Sequence, residues 1–187
     1  MNFPVAQLIR SRRTIKKFKN EPVALDTIKE LLEIATWAPN HKMREPWRFI
    51  AVVDEGREQL VEWLKEEKAR GKRAQPMTES KVAYLQSIPA FVAVVMPVDP
   101  RPMIFEEDHS AVSALVQNFQ LAAWERGIGM LWNTDSSIYS PNFHENLGVE
   151  RGEKIVGLMY IGYPEMTPEA RPRTPIEEKL TVISMGI

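Results

Sequence analysis

Apolar residues recur along this chain in two rhythms. Val5, Leu8 and Ile9 fall at helical spacing, and Leu25, Ile28, Leu31, Leu32 and Ala35 repeat the three-and-four recurrence of an amphipathic helix. Asp26 stands near the start of the second helix, where the helix dipole favours an acid. Pro39 stops that pattern, because the residue before a proline is pushed out of the helical region. Pro46 leads into a short apolar strand over 49–53, closed by Asp54, Glu55 and Gly56. A charged outer helix is predicted over 58–68, with Leu60, Val61 and Leu64 as its apolar face, then a loop over 71–77 and a short helix over 79–86. The stretch 56–88 is thus expected to be a mobile excursion from a single domain, 1–187. The run 90–96 is apolar throughout, as a strand buried on both faces would be. Pro97, Pro100 and Pro102 are expected to forbid regular structure.

The strongest helical signal covers 108–126, which is apolar nearly all round and so predicts a central buried helix. Its first half is rich in Ala and Ser, which lets another helix approach closely. Gly127 caps it, 129–132 is a strand, Ser140 and Pro141 start a further helix that ends at Leu147 and Gly148, and 155–163 is the last core strand. After Pro164 the run P-E-A-R-P-R-T-P is too rich in proline for an ordinary element. The apolar tail 179–187 would be an exposed edge alone and is expected to pair with something. Four to five strands alternating with helices argue an α+β sandwich with helices on both faces.

Composition narrows the chemistry. The chain has 187 residues, 44% of them hydrophobic and 26% charged, enough for one domain with a real core. A net charge of -1 gives no global attraction to nucleic acid or to an anionic membrane, so a basic site must be local. Zero cysteines exclude disulfides, thiol nucleophiles and thiolate-held metals, and a reducing cytoplasm fits. Neither a signal peptide nor a membrane span is read in the sequence. His41, His109 and His144 fall in separate segments, and their spacing supplies no metal site. Only His109 has acidic neighbours, read as acids at a helix start. There is no G-x-S-x-G elbow, Walker loop or G-x-G-x-x-G, so the common hydrolase and nucleotide-triphosphatase readings fall away.

Two stretches remain. Residues 10–19, R-S-R-R-T-I-K-K-F-K, are cationic at six of ten positions, and they could be a nucleic-acid patch, a solvated helix end or a phosphate site. A patch needs a wider field than Arg12, Arg13, Lys16 and Lys17 supply. A second basic spot, Arg171 and Arg173, suits the two ends of a short anion, and Thr14 adds a hydroxyl donor. Residues 37–49, W-A-P-N-H-K-M-R-E-P-W-R-F, form a polar loop framed by Trp37 and Trp47. It could present donors and a flat ring to a planar ligand, or it could be a helix-to-strand connection whose tryptophans pack in the core.

R-R-T-I-K-K-F at 12–18, A-P-N-H-K-x-x-E-P-W-R-F at 38–49, the small-residue helix leading to G-I-G-M-L-W, and A-R-P-R near the end resemble, in order and spacing, the nitroreductase family. The resemblance is nearest to compact bacterial members with Asn or Asp, His and Lys after the Ala-Pro. It implies a nitroreductase-like α+β sandwich with a central, mainly antiparallel sheet, an intertwined homodimer, and FMN bound at the subunit interface. It further implies hydride transfer from NAD(P)H to flavin N5 and on to a nitroaromatic, quinone or similar small conjugated acceptor, by a ping-pong mechanism.

By position, Arg12, Arg13 and Thr14 match the family's flavin-binding segment, with Arg12 and Thr14 expected at the ribityl phosphate, and Lys16 matches a cation near the isoalloxazine. Trp37 and His41 match positions that reach the partner's flavin, and Lys42 is a second cation for the reduced ring. Trp132, Asn133 and Thr134 match the ring-lining segment, and Arg171 and Arg173 the late basic pair at the phosphate. Met43 and Glu45 stand where larger members carry Asn and Gln, so hydrogen bonds to the pyrimidine edge must differ. No protein acid or base is required, because the flavin does the redox work. Two other classes compete: a flavin-bound binding or storage protein with little turnover, and a basic-patch nucleic-acid module. Bleaching of the flavin by NADH or NADPH separates the first, and a colourless protein that binds oligonucleotide would support the second.

Overall fold

A computed structural model describes residues 4–70 and 74–184. Among the described residues six helices and four strands follow one another as α1 (Pro4–Ser11), α2 (Leu25–Ala35), β1 (Arg48–Val52), α3 (Gly56–Ala69), α4 (Glu79–Gln86), β2 (Ala90–Pro97), α5 (Pro102–Glu125), β3 (Gly129–Asn133), α6 (Pro141–Leu147) and β4 (Glu153–Gly162), with 3-10 turns at His41–Met43, Ser136–Tyr139 and Ile176–Glu178. The strands form one sheet in the order β1-β2-β4-β3, every pair antiparallel. This is the α+β sandwich that the periodicity predicts.

Strand β2 lies at the centre, and Ala90 to Met96 are all fully buried. Successive side chains of a strand point to opposite faces. Val92, Val94 and Met96 therefore enter one core with α2 and α5, while Phe91, Ala93 and Val95 enter a second with α3 and α6. On β4 the alternation slips, with Ile155 and Leu158 sharing the second core although three positions apart. A register shift between Val94 and Val95 supplies the reason, since a bulge inserts one extra residue on β4 opposite it.

The stretch expected to be an excursion holds α3 and α4, and Leu60, Val61, Leu64 and Leu85 bury against the second core. The expected break before the central helix is corrected. Helix α5 starts at Pro102, not at residue 108, because a proline at the first helical turn needs no N–H and has its φ preset. Acids 106–108 therefore lie inside the helix. In the tail, Leu180, Val182 and Ile183 are exposed, and residues 185–187 of the predicted edge lie outside the described residues. Among the described residues no helix is long and apolar enough to cross a membrane.

Candidate functional site

The basic segment after α1 is extended and lies along the open edge of β3. Thr14 pairs in parallel with Met130, and Ile15 N donates to Met130 O at 3.0 Å. Further on, Lys19 N donates to Tyr163 O at 2.8 Å, and Glu165 N donates to Lys17 O at 3.1 Å. Ile15 and Phe18 turn inward and are buried, which leaves Thr14, Lys16 and Lys17 facing out. The approach is close because residue 129 is glycine: a Cβ there would run into Ile15. A paired edge no longer invites another strand, so this segment both finishes the sheet and displays its cations.

Those cations converge with the ones near the other end of the chain. Arg12, Arg13, Thr14, Lys16, Lys17, Arg171 and Arg173 line one cavity of about 580 Å³, closed by Met166, Pro168 and Glu169. Arg12 Nη1 donates to Gln120 Oε1 of α5 at 3.2 Å, and Arg13 Nη1 donates to the carbonyls of Arg10 and Arg12 at 2.7 and 2.9 Å. Arg173 Nη1 donates to Arg171 O at 3.1 Å. Among the described residues none of these cations has a carboxylate within ion-pair distance. Burial, and then repulsion from Arg13 and Arg173, pull the pKa of Arg12 below its ordinary value. Arg13 Nε is buried without a hydrogen-bond partner. An anion of small radius would relieve both.

The other residues expected at the site stand elsewhere on the chain. Trp132 and Asn133 end β3 and Thr134 follows it, and Trp132 Nε1 donates to Val156 O at 3.2 Å. The ring is laid over Gly157, where any Cβ would collide with it. Trp37 is 86% exposed, whereas Trp47 packs against the first core, so the two tryptophans that frame the loop divide between the two readings. His41 lines a separate depression of about 560 Å³ with Pro39, Asn40 and the α5 residues Met103, Glu106, Glu107, Ser110, Ala111 and Ala114. Lys42 is exposed on the same turn, with φ 53°. Among the described residues the loop and the basic cavity line separate pockets.

Sequence reasoning passed over the partners that fix these groups. Arg44 donates from Nε and Nη2 to the two oxygens of Asp108, at 2.8 Å each, and Asp108 is 2% exposed. The acids at 106–108 look like helix-start residues until Pro102 is seen to begin α5. Gln120 is one of three amides on α5, with Gln117 and Asn118, and only its burial and its bond to Arg12 set it apart.

The sequence profile described as "Nitroreductase family" matches residues 9–163. The Bacillus subtilis protein YfhC, named for NAD(P)H nitroreductase activity, is 40% identical over 180 residues, covering 93% of this chain and 91% of YfhC. The crystal structure of a nitroreductase-like family protein from Bacillus cereus matches with a TM-score of 0.86 at 40% identity, over 98% of this chain and 97% of that one. The FMN and NADPH-dependent nitroreductase NfnB from Sphigopyxis sp. strain HMH, 16% identical, shares the fold with a TM-score of 0.80 over 98% of this chain and 100% of its own.

Proposed function

The chain belongs to the nitroreductase family, and from that premise we propose that it is an FMN-dependent oxidoreductase, using NAD(P)H to reduce a nitroaromatic, quinone or similar small conjugated acceptor. The observation that supports this most is the cavity where Arg12 and Arg13 face Arg171 and Arg173, with Glu169 as its one acid. A phosphate monoester brings close to two negative charges and three acceptor oxygens. Guanidinium groups meet such oxygens with paired donors, and the unpartnered Arg13 Nε adds another. The donor set therefore fits the phosphate end of FMN, and the volume lies within the usual range for small-molecule sites, about 300–1,000 Å³.

Bound there, FMN would supply the redox chemistry, accepting hydride from the nicotinamide and passing reducing equivalents to the acceptor. The chain's own part is to hold and polarise. Arg12, Thr14 and Arg173 would anchor the phosphate, and Arg12 is itself oriented by Gln120. Lys16 would place a cation where negative charge grows on reduction, a stabilisation fixed before the reaction begins. Trp132, Asn133 and Thr134 would line the ring from the end of β3. Trp37, His41 and Lys42 have no place in the same chain's cavity, and their exposure supports a homodimer in which they serve the partner's flavin. Helix α1, with Val5 and Ile9 exposed, and the open face of α5 at Met103 and Ala114 give such a dimer apolar surface. The same reading sets the protein in the cytoplasm, where NAD(P)H is available.

The test is optical. Purified protein should be yellow or take up FMN, and NADH or NADPH should bleach it without oxygen. Protein that refuses FMN would overturn the reading; protein that holds FMN but is not bleached would leave only a binding role.

A further inference from the structure

Three non-glycine residues within four positions adopt the left-handed region: Lys42 at φ 53°, Met43 at φ 52° and Glu45 at φ 46°. There a Cβ crowds the following carbonyl, and such conformations persist only where the surroundings over-determine them. Packing does not supply that determination, because the turn His41–Met43 buries none of its side chains. Polar contacts do. Asn40 Oδ1 accepts from Glu45 N at 3.0 Å and closes the base of the loop, while Asn40 Nδ2 donates to Ala38 O at 3.3 Å. Arg44 is the one residue of 42–45 with helical φ and ψ, at -68° and -27°. It anchors the loop to α5 through both oxygens of buried Asp108. A second acid, Asp99, stands 3.6 Å from Arg44 Nη2 and is itself held by the guanidinium of Arg101.

We propose that Arg44, Asp108 and Asp99 form a clamp that holds the loop 40–45 in its strained shape, so that Arg44 is the positioning residue that aims His41 and Lys42 at the cofactor. This rests on the FMN reading given above. A two-pronged fork fixes angle as well as distance, which a single ammonium cannot do. Asp108 is buried while Arg44 keeps a third of its side chain exposed, and such a half-buried pair is a poor way to gain stability alone, since an apolar pair of similar volume often does as well. What the charges add here is one geometry for a turn that has no packing of its own. Loosening the clamp would swing Lys42 and His41 while leaving both cores untouched.

Three variants of the full chain test this: Arg44→Lys, Asp108→Asn and the double change Arg44→Met with Asp108→Leu. Amide hydrogen exchange over 41–45 reads the loop, thermal melting reads the fold, and FMN titration with the flavin reduction potential reads the consequence. Arg44→Lys and Asp108→Asn should speed exchange in 41–45 about tenfold and weaken FMN by a similar factor, with the potential shifted to more negative values. The double variant should melt close to the wild type yet keep the fast loop and the weak FMN. Wild-type exchange and FMN affinity in the double variant would overturn the proposal, since the pair would then only replace packing. Unchanged loop exchange in Arg44→Lys would overturn it as well. If the wild-type chain takes up no FMN, the cofactor reading fails together with the aim assigned to His41 and Lys42. The loop exchange would then still report on the clamp separately.

Discussion

Two groups of arginines in this protein stand in contrast. Arg44 and Arg48 are saturated within the fold: Arg44 by Asp108, and Arg48 by Glu153, with Arg48 Nη2 also donating to Gly148 O at 3.1 Å. Hydrogen bonds donated to these carboxylates push the pKa of both guanidiniums above the ordinary value. Arg12, at the basic cavity, moves the other way, through burial and the repulsion of Arg13 and Arg173. In the first population the chain provides its own anion, and the result is structure. In the second it withholds one, and the unmet charge is what the proposed phosphate site would use.

That division can be broken in several places. The largest effect is expected at Ala114, in the depression beside His41 that the proposed partner subunit completes. Ala114→Trp should wedge two α5 helices apart, giving monomer on sedimentation and loss of FMN together. Monomer that retains full FMN affinity would show that each subunit holds a complete site. Next in size is Arg173→Glu, which puts a carboxylate among the unpaired cations. FMN affinity should fall about a hundredfold in titration, the scale of losing charge-assisted hydrogen bonds, while the apo protein melts no lower than the wild type. A lower melting point in the apo form would move Arg173 into the structural population.

Glu153→Gln should do the reverse. Removing the charge that faces Arg48 should lower stability by about 1 kcal/mol in urea unfolding and leave FMN affinity unchanged. The smallest effect is its pH dependence. The hydrogen bond from Arg48 holds the Glu153 carboxyl below its ordinary value of 4.5. A depressed carboxylate pKa adds stability that is fully present above the unfolded value and is lost as pH falls through the folded one. The gap between wild type and Glu153→Gln should therefore stay constant at neutral pH and close below about pH 4. A gap that persists into acid would mean that shape, rather than charge, was lost.

The sequence showed the two basic spots and their suitability for a short anion, because cations crowded at 10–19 and again at 171–173 cannot all be solvated helix ends. It also showed β2 as a strand covered on both faces, from seven unbroken apolar positions. The start of α5 was misjudged because a proline can break a helix or begin one, and only its position in the first turn tells which. That misjudgement hid Asp108, since an acid thought to be at a helix end needs no partner. Arg44 was hidden for a different reason. Its ion pair joins residues 64 positions apart, and no local pattern encodes such a distance. Trp37 and Trp47 look alike in the sequence, and only the sheet decides which of them the core has room for.

Gly129 and Gly157 have a consequence for reading natural variation. Neither has an unusual backbone angle, and neither carries a side chain. Yet each leaves the hollow that another side chain occupies, Ile15 in one case and Trp132 in the other. In a saturation scan both would be among the least tolerant positions, and any method that equates intolerance with catalysis would place them in the active site. Their silence would record a neighbour's volume, and the chemistry would lie one residue away, on Thr14 and Asn133.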